Sequence, residues 1–539
     1  MLNPATFRRL SLALFALLGV FIVLTFRHYG ISNDEEVQHT YGQLLLNFYT
    51  SGFSDQSAFQ YRNLYLYGGF FDLVAAILEK IVPIWVWDMR HLLSALFGLA
   101  GIFASYKIAR LLGGERAGFV VVALLTITGS WSGAMFTHTK DIPFATCMVW
   151  ALYYTIRIAQ HIAKDGLANA PWSLSVKLGI AVGCALGLRI GGVFSVFYLL
   201  LVIVAAGWLK ADSLRSALGL WLGCVKFLLP AGLTAFVLMA IFWPWGVMSP
   251  EHPLEAARAF SHFAFNMLTV MDGQVMKIGE VPRDYVPAYL LVRLPEVFLL
   301  GLISLGIFGL LRLRHAKFDQ SAFLAWFAVT VAVAFPLAFI LLDRPALYNG
   351  VRHFTFVLPP LAILATLGLC LGWDGLNFAP RLRKGFAVAC ALLTLNTLYV
   401  LTRLHPYEYV YYNQIAGNTA QAENSWEGDY WSSSLREAAE MLESEIPKPI
   451  SPYTINQSPY RVAVCAESIQ GQAYLDHRFQ ITSDWINADF FISSTNMNCD
   501  KVLQGRIIGT VQRMGATLAV IKDRRHLLAH MRLPRPAPH

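Results

Sequence analysis

The chain has 539 residues, of which 56% are hydrophobic and 14% are Asp, Glu, Lys or Arg, and its mean hydropathy is +0.49. A soluble domain carries about 25% charged residues, so the composition argues against a soluble enzyme and excludes a disordered, collagenous or disulfide-dense chain. The formal charge of +8 accompanies no basic run with interleaved aromatics, which argues against nucleic acid as a partner; cytoplasmic loops give membrane proteins the same bias.

A hydrocarbon core about 30 Å thick takes roughly 20 apolar helical residues. Such runs lie near 10–27, 91–112, 117–136, 142–160, 219–243, 293–312, 321–342, 354–373 and 385–402. The stretch 174–208 is too long for one crossing at about 1.5 Å per residue. Arg189-Ile190-Gly191-Gly192 interrupts it, which predicts two crossings with a tight turn at Arg189. Eleven spans are expected.

Parity tests that number. With Arg8 and Arg9 inside, alternate loops carry Lys107, Arg110 and Arg116; Arg157, Lys164 and Lys177; Lys210 and Arg215; Arg312, Arg314 and Lys317; Arg381, Arg383 and Lys384. All sixteen basic residues then fall on one side, as the positive-inside rule requires. A single crossing at 174–208 would put the last three clusters outside. The amino terminus is expected inside and the carboxyl terminus outside. Arg8-Arg9 before an apolar run also fits a signal peptide, but no small-x-small cleavage site follows, favouring a retained first helix.

Three outer segments are long: 28–90, 244–292 and 403–539. Polar backbone is not stable in lipid, so the first two are expected as interfacial helices or packed on the bundle. Val37, Tyr41, Leu44, Leu45 and Phe48 form one helical stripe, and Phe260, Phe263, Ala264 and Met267 another. Trp85, Trp87, Trp243 and Trp245 suit headgroup depth. The first domain is expected over 1–402. After Arg403 a small α/β domain is expected over 403–539, with a helix at Ser433–Glu445, strands at Arg461–Cys465, Phe490–Ser493 and Leu518–Ile521, and a disordered basic tip from Arg532 to His539. Cys465 and Cys499 follow two of these strands. They form either a disulfide or two buried free thiols.

The candidate chemistry sits beside the outer span ends. Ser32-Asn33-Asp34-Glu35-Glu36 puts three acids just beyond the first span. Ser32 and Glu35 also make a capping box, so the acids equally suit a helix start. His138-Thr139-Lys140-Asp141-Ile142-Pro143 fills the outer turn before the fourth span. There Asp141 is either a cap or a second acid, and Lys140 either snorkels or binds an anion. Asp343-Arg344 reads as a local ion pair, whereas Tyr348-Asn349-Gly350-Val351-Arg352-His353 puts two cationic candidates at a helix mouth. Arg189 is a fourth cationic feature. Acids and cations converging on one side suit attack by an acceptor group with a leaving phosphate neutralised by Arg, Lys or His. No GxxxxGK[ST] loop or strand–GxGxxG–helix unit is present for a nucleotide, and no HExxH, CxxC or GxSxG.

On Asp34-Glu35, Val37 to Gly42, Arg90 to Leu96, Lys140 to Ala145, Pro282 to Pro295 and Tyr348 to His353, the chain resembles GT-C glycosyltransferases, close to the protein O-mannosyltransferase and lipid A aminoarabinose transferase group. The likeness covers roughly residues 10–402, and Tyr411 to Trp431 resembles a block of uncharacterised bacterial members. No added sugar-binding domain of the eukaryotic mannosyltransferase kind follows. The resemblance implies a mostly α, polytopic GT-C bundle in a bacterial inner membrane with its small domain in the periplasm. It implies inverting sugar transfer from a polyprenyl-phosphate-sugar to a lipid, glycan or protein acceptor, with no cofactor required; the three adjacent acids leave room for a divalent metal, which the resemblance does not call for. By carry-over Asp34 is the general base, Glu35 orients it or the acceptor, and Asp141 is a second acid. Lys140, Arg189, Arg352 and His353 hold the donor phosphate, with His138, Tyr348 and Asn349 nearby. A transporter of a lipid-linked or anionic solute is the rival, but matched broken repeats are lacking.

Overall fold

The computed structural model describes residues 3–164, 166–167, 170–261, 267–313, 318–343, 345–447 and 459–532. The chain is a multi-pass membrane protein. Among the described residues, eight helices are long and apolar enough to cross a bilayer, and nine if the bent pair Tyr285–Arg293 and Glu296–Arg312 is one span. Helices are the natural answer to lipid, because each closes its own backbone hydrogen bonds. All eleven expected runs coincide with helical segments. The lower figure has two causes. Val86–Thr126 runs as one helix broken at Gly114, and Trp172–Leu186 is only 15 residues long.

Burial separates the inner helices from the outer ones. The apolar stretches of Asp141–Lys164 and Arg352–Phe378 are 83% and 94% buried, against 17% for Pro4–Thr25, Leu214–Phe242 and Pro380–Leu404. The outer three expose Leu17, Leu24, Leu229, Leu233, Leu392 and Leu395, as a lipid-facing surface should. The predicted break near Arg189 is present between Trp172–Leu186 and Val193–Lys210. Gly187 lies there against Gly68, where a Cβ would come within 2.1 Å of the Gly187 carbonyl. Only glycine permits this contact, and it carries Tyr67 to Arg189.

The first outer segment packs on the bundle. Helix Glu35–Thr50 buries Val37, Tyr41, Leu45 and Phe48 of its predicted stripe. It begins two residues later than the capping box requires. Ser32 does not cap it; its hydroxyl lies within hydrogen-bond distance of Glu35 Oε2 (3.0 Å) and the Thr137 carbonyl (3.1 Å). The second segment holds a hairpin that the sequence reading lacked, β1 (Leu268–Met271) and β2 (Gln274–Lys277), turning at Asp272-Gly273 with φ of 48° and 76°. Phe263 and Ala264 of the second stripe, Arg344 of the expected ion pair, and 533–539 of the tip lie outside the described residues.

The tail forms β3 (Tyr460–Cys465), β4 (Phe479–Ile481), β5 (Phe490–Ser494), β6 (Arg506–Arg513) and β7 (Ala516–Asp523) in the order β4-β3-β5-β7-β6. β3 runs parallel to β4 and β5, and β7 antiparallel to β5 and β6. Helix Leu435–Glu445 lays Leu435, Ala438, Ala439 and Leu442 on the core. Cys465 and Cys499 are disulfide-bonded, their Cα atoms 6.3 Å apart. Tyr407, Tyr409, Tyr411, Tyr412 and Trp431 are buried between sheet and bundle, in one continuous core with both. Arg293 is fully enclosed there, donating to the carbonyls of Tyr409 (2.6 Å) and Glu427 (2.8 Å) and stacking on Tyr412 at 3.8 Å.

Candidate active site

Four stretches of chain meet at one end of the bundle. Arg352, at the mouth of its helix, donates through Nη2 to Asp34 Oδ2 at 3.0 Å and through Nε to Asp141 Oδ2 at 3.1 Å. Arg189 Nη2 donates to the other oxygen of Asp141. Asp141 opens its helix but spends both oxygens on these arginines, so it is an ion-pair hub and not a cap. The Trp431 ring lies 3.9 Å from the guanidinium carbon of Arg352, with Tyr348 at 5.7 Å.

Lys140 does not snorkel. It is 6% exposed, with Nζ 4.3 Å from the Tyr67 ring centroid and no carboxylate within 4.0 Å among the described residues. Burial pushes its ammonium down to about 8, while Asp72 and Asp34 partly oppose the fall. Lys140, Arg189 and Arg352 thus face two carboxylates, Asp34 and Asp141. One positive charge is left over, which suits an anion.

Asp34 is unlike its neighbours. Its φ of 70° puts it in the left-handed region, rare for a residue with a side chain. Its carboxylate is 46% exposed although Arg352 holds one oxygen. Glu35, the next residue, is fully buried. Its Oε2 accepts from the Ser32 N–H at 2.7 Å and lies 3.1 Å from His91 Nε2, with Arg90 at 3.9 Å from Oε1. Burial raises the Glu35 carboxyl, but His91, Arg90 and the Ser32 N–H outweigh it and hold it below the usual range. Glu35 therefore faces away from Arg352 and fixes the loop that carries Asp34. Glu36 is exposed. The three acids diverge, and among the described residues no group of three His, Cys, Asp or Glu side chains is set to hold a metal ion.

His138 lies behind the cluster. Its Nε2 accepts from Trp431 Nε1 at 2.8 Å and contacts the Tyr430 hydroxyl at 2.7 Å. Indole only donates, so the imidazole is neutral, and burial pushes its basicity down to about 3. It seats Trp431. His353 packs its ring 4.6 Å from Tyr348, and its buried Nδ1 has no partner among the described residues. Asn349, at φ 57°, makes the turn whose carbonyl accepts from the Arg352 N–H at 3.4 Å. Asp34, Lys140, Asp141, Arg189, Arg352 and Tyr348 are thus together, with His138, His353 and Asn349 around them and Glu35 turned away. Sequence reasoning missed Tyr67, Trp431 and the Asp72–Arg90 pair; of these only Arg90 and Trp431 lay in blocks carrying a family likeness.

The likeness of the chain to solved structures shows its fold, which is of the GT-C type. The crystal structure of ArnT from Cupriavidus metallidurans in the apo state matches at a TM-score of 0.50 and 15% identity, over 95% of this chain and 97% of that one. The same protein bound to undecaprenyl phosphate matches at 0.49, with the same identity and coverage. The oligosaccharyltransferase AglB from Archaeoglobus fulgidus, in complex with an inhibitory peptide and a dolichol-phosphate, matches at 0.44 and 14% identity, over 90% of this chain and 69% of that one. No family model matches the chain, and no curated protein matches it.

Proposed function

We propose that the chain is a glycosyltransferase moving a sugar from a polyprenyl-phosphate-sugar to a lipid, glycan or protein acceptor on the outer face of a bacterial inner membrane. The observation that carries this is Asp34, half open to solvent, touching Arg352 beside a Lys140 that has no carboxylate partner among the described residues. A base and a phosphate site are thereby adjacent. The acceptor loses a proton to Asp34 as it attacks the anomeric carbon opposite the phosphate. The carbon–oxygen bond to phosphate breaks, its electron pair leaves on the phosphate, and Lys140, Arg189 and Arg352 neutralise it. Displacement from the opposite face inverts the anomeric carbon. Asp141 holds the two arginines, and Glu35 orients the loop of Asp34. The sixteen basic residues on alternate loops support eleven crossings over 1–402, an inner amino terminus and an outer domain over 403–539.

Mass spectrometry of lipid-linked sugars and surface glycans tests the reading. A strain lacking the gene should keep one sugar on its lipid carrier and lose it from one surface glycan. Wild type should restore transfer; Asp34→Asn should lower it by about 10²–10⁴-fold, the usual worth of a general base, and Glu36→Gln far less. Identical glycans with and without the gene would end the reading.

A further inference from the structure

The Asn349-Gly350 turn that precedes Arg352 is left-handed at both residues, with φ of 57° and 63°. The second outer segment holds it at three points. The Leu347 N–H donates to the Ile278 carbonyl at 3.3 Å, and the Gly350 N–H donates to the Tyr285 hydroxyl at 3.1 Å. The Tyr289 ring packs on Gly350, where a Cβ would come within 2.9 Å of it. Tyr285 opens helix Tyr285–Arg293, and its hydroxyl lies 2.8 Å from Thr269 Oγ1 of β1. Thr269 Oγ1 donates in turn to Glu427 Oε1 of the tail at 2.7 Å. A hydroxyl carries one proton, and that of Thr269 is spent on Glu427, so Tyr285 is the donor between the two hydroxyls. The relay therefore runs one way: Gly350 to Tyr285, Tyr285 to Thr269, Thr269 to Glu427. Thr269 and Tyr285 are fully buried, and Glu427 is 1% exposed.

Hydrogen bonds that run head to tail through a dry interior polarise and strengthen one another. The anchor of this relay is itself fixed. The Glu427 N–H donates to the Tyr289 hydroxyl at 3.2 Å, and the Gly273 N–H at the hairpin turn donates to the Ser425 carbonyl at 2.9 Å. A left-handed Asn-Gly pair sets the sharpness of a turn, whereas the relay sets where that turn stands. We propose that Tyr285 and Thr269 are positioning residues for Arg352, holding its turn on Glu427 of the tail so that the guanidinium meets Asp34 and Asp141 together. This rests on the reading of Arg352 as a residue that holds the donor phosphate. The tail then reaches Arg352 twice, on the guanidinium through Trp431 and behind the backbone through the relay.

The test compares the purified full-length wild type with Tyr285→Phe, Thr269→Val and Thr269→Ser, reconstituted in lipid nanodiscs. Phe and Val keep the shape and remove only the hydroxyl. Hydrogen–deuterium exchange in peptides covering 347–352 should speed up about 2- to 10-fold in Tyr285→Phe, the worth of one neutral hydrogen bond, and by less in Thr269→Val. In sugar transfer, donor KM should rise in both, in the same order. Thr269→Ser restores the hydroxyl and should restore both exchange and donor KM. Exchange at 347–352 equal to wild type in Tyr285→Phe and Thr269→Val overturns the proposal. Arg352→Ala is the control for the site itself. Where it raises donor KM, an unchanged donor KM in Tyr285→Phe also overturns the proposal, whatever the exchange. Where Arg352→Ala leaves donor KM unchanged, Arg352 is removed from the donor site, and exchange alone decides the relay. Should Thr269→Val not fold, Tyr285→Phe decides by the same two readings.

Discussion

Trp431 lays its indole across the guanidinium of Arg352 at 3.9 Å, so a residue of the tail covers the central cation of a site built on the bundle. The face of an indole ring attracts a desolvated guanidinium by about 0.5–2 kcal/mol. The stack holds the fork of Arg352 in the plane where its two nitrogens reach Asp34 and Asp141 at the same time.

Arg352→Lys should therefore act as more than a mild change. The charge stays, but one point charge replaces a planar fork that serves two carboxylates. Donor KM should rise, and Trp431→Leu should raise it about 2- to 30-fold through loss of the stack. Unchanged donor KM in both variants would move the phosphate site toward Arg189 and Lys140.

Lys140 predicts an alkaline limit. Its ammonium is charged below about pH 8 and loses its proton as pH rises through that value. Binding of an anionic donor should weaken above about pH 8 for that reason. The measurement is kcat/KM for the donor from pH 6 upward. Lys140→Arg stays charged throughout, so its profile should lack the fall. The same fall in both proteins would rule out Lys140 as its source.

A third prediction concerns stability alone. Arg90 donates to Asp72 at 2.9 Å, and the side chains are 0% and 1% exposed. Arg90→Ala strands a buried carboxylate, which typically costs about 3–5 kcal/mol. Thermal unfolding followed by tryptophan fluorescence in detergent should show a clear drop in midpoint. An unaltered midpoint would mean that the pair contributes nothing to stability.

Topology offers the fourth. A reporter active only in the cytoplasm, fused after His539, should stay silent if the tail lies outside, as sixteen basic residues on alternate loops predict. An active fusion would reverse the parity, and the outer placement of the site with it.

The helices and the main site cations were legible because their signals are local. An apolar run declares itself over about 20 residues, and Lys140-Asp141 or Arg352 stands out beside such a run. The strands near Arg461, Phe490 and Leu518 declared themselves by short apolar runs, whereas β4 and β6 did not. The hairpin at Asp272-Gly273 did carry a turn signal of the kind favouring left-handed residues. The long-range pairs were not legible. Asp72 meets Arg90, and Trp431 covers Arg352 from about 80 residues further along the chain, with nothing local to mark the partner. The partner of Glu35 was not legible either. Adjacent residues at a helix start point in different directions, so Asp34 reaches Arg352 while Glu35 turns to His91.

The order of the site residues along the chain has a bearing on biosynthesis. Asp34 leaves the ribosome early, the arginine it pairs with more than 300 residues later, and Trp431 later still. During membrane insertion the growing chain carries its acid long before any group exists to aim it. Trp431, which covers Arg352, arrives only when the tail has closed on the bundle. A half-inserted chain is therefore expected to be inert toward neighbouring glycolipids. Chains stopped after Arg403 should insert their helices yet transfer no sugar, and adding the missing tail as a separate polypeptide tests whether late arrival alone keeps them silent.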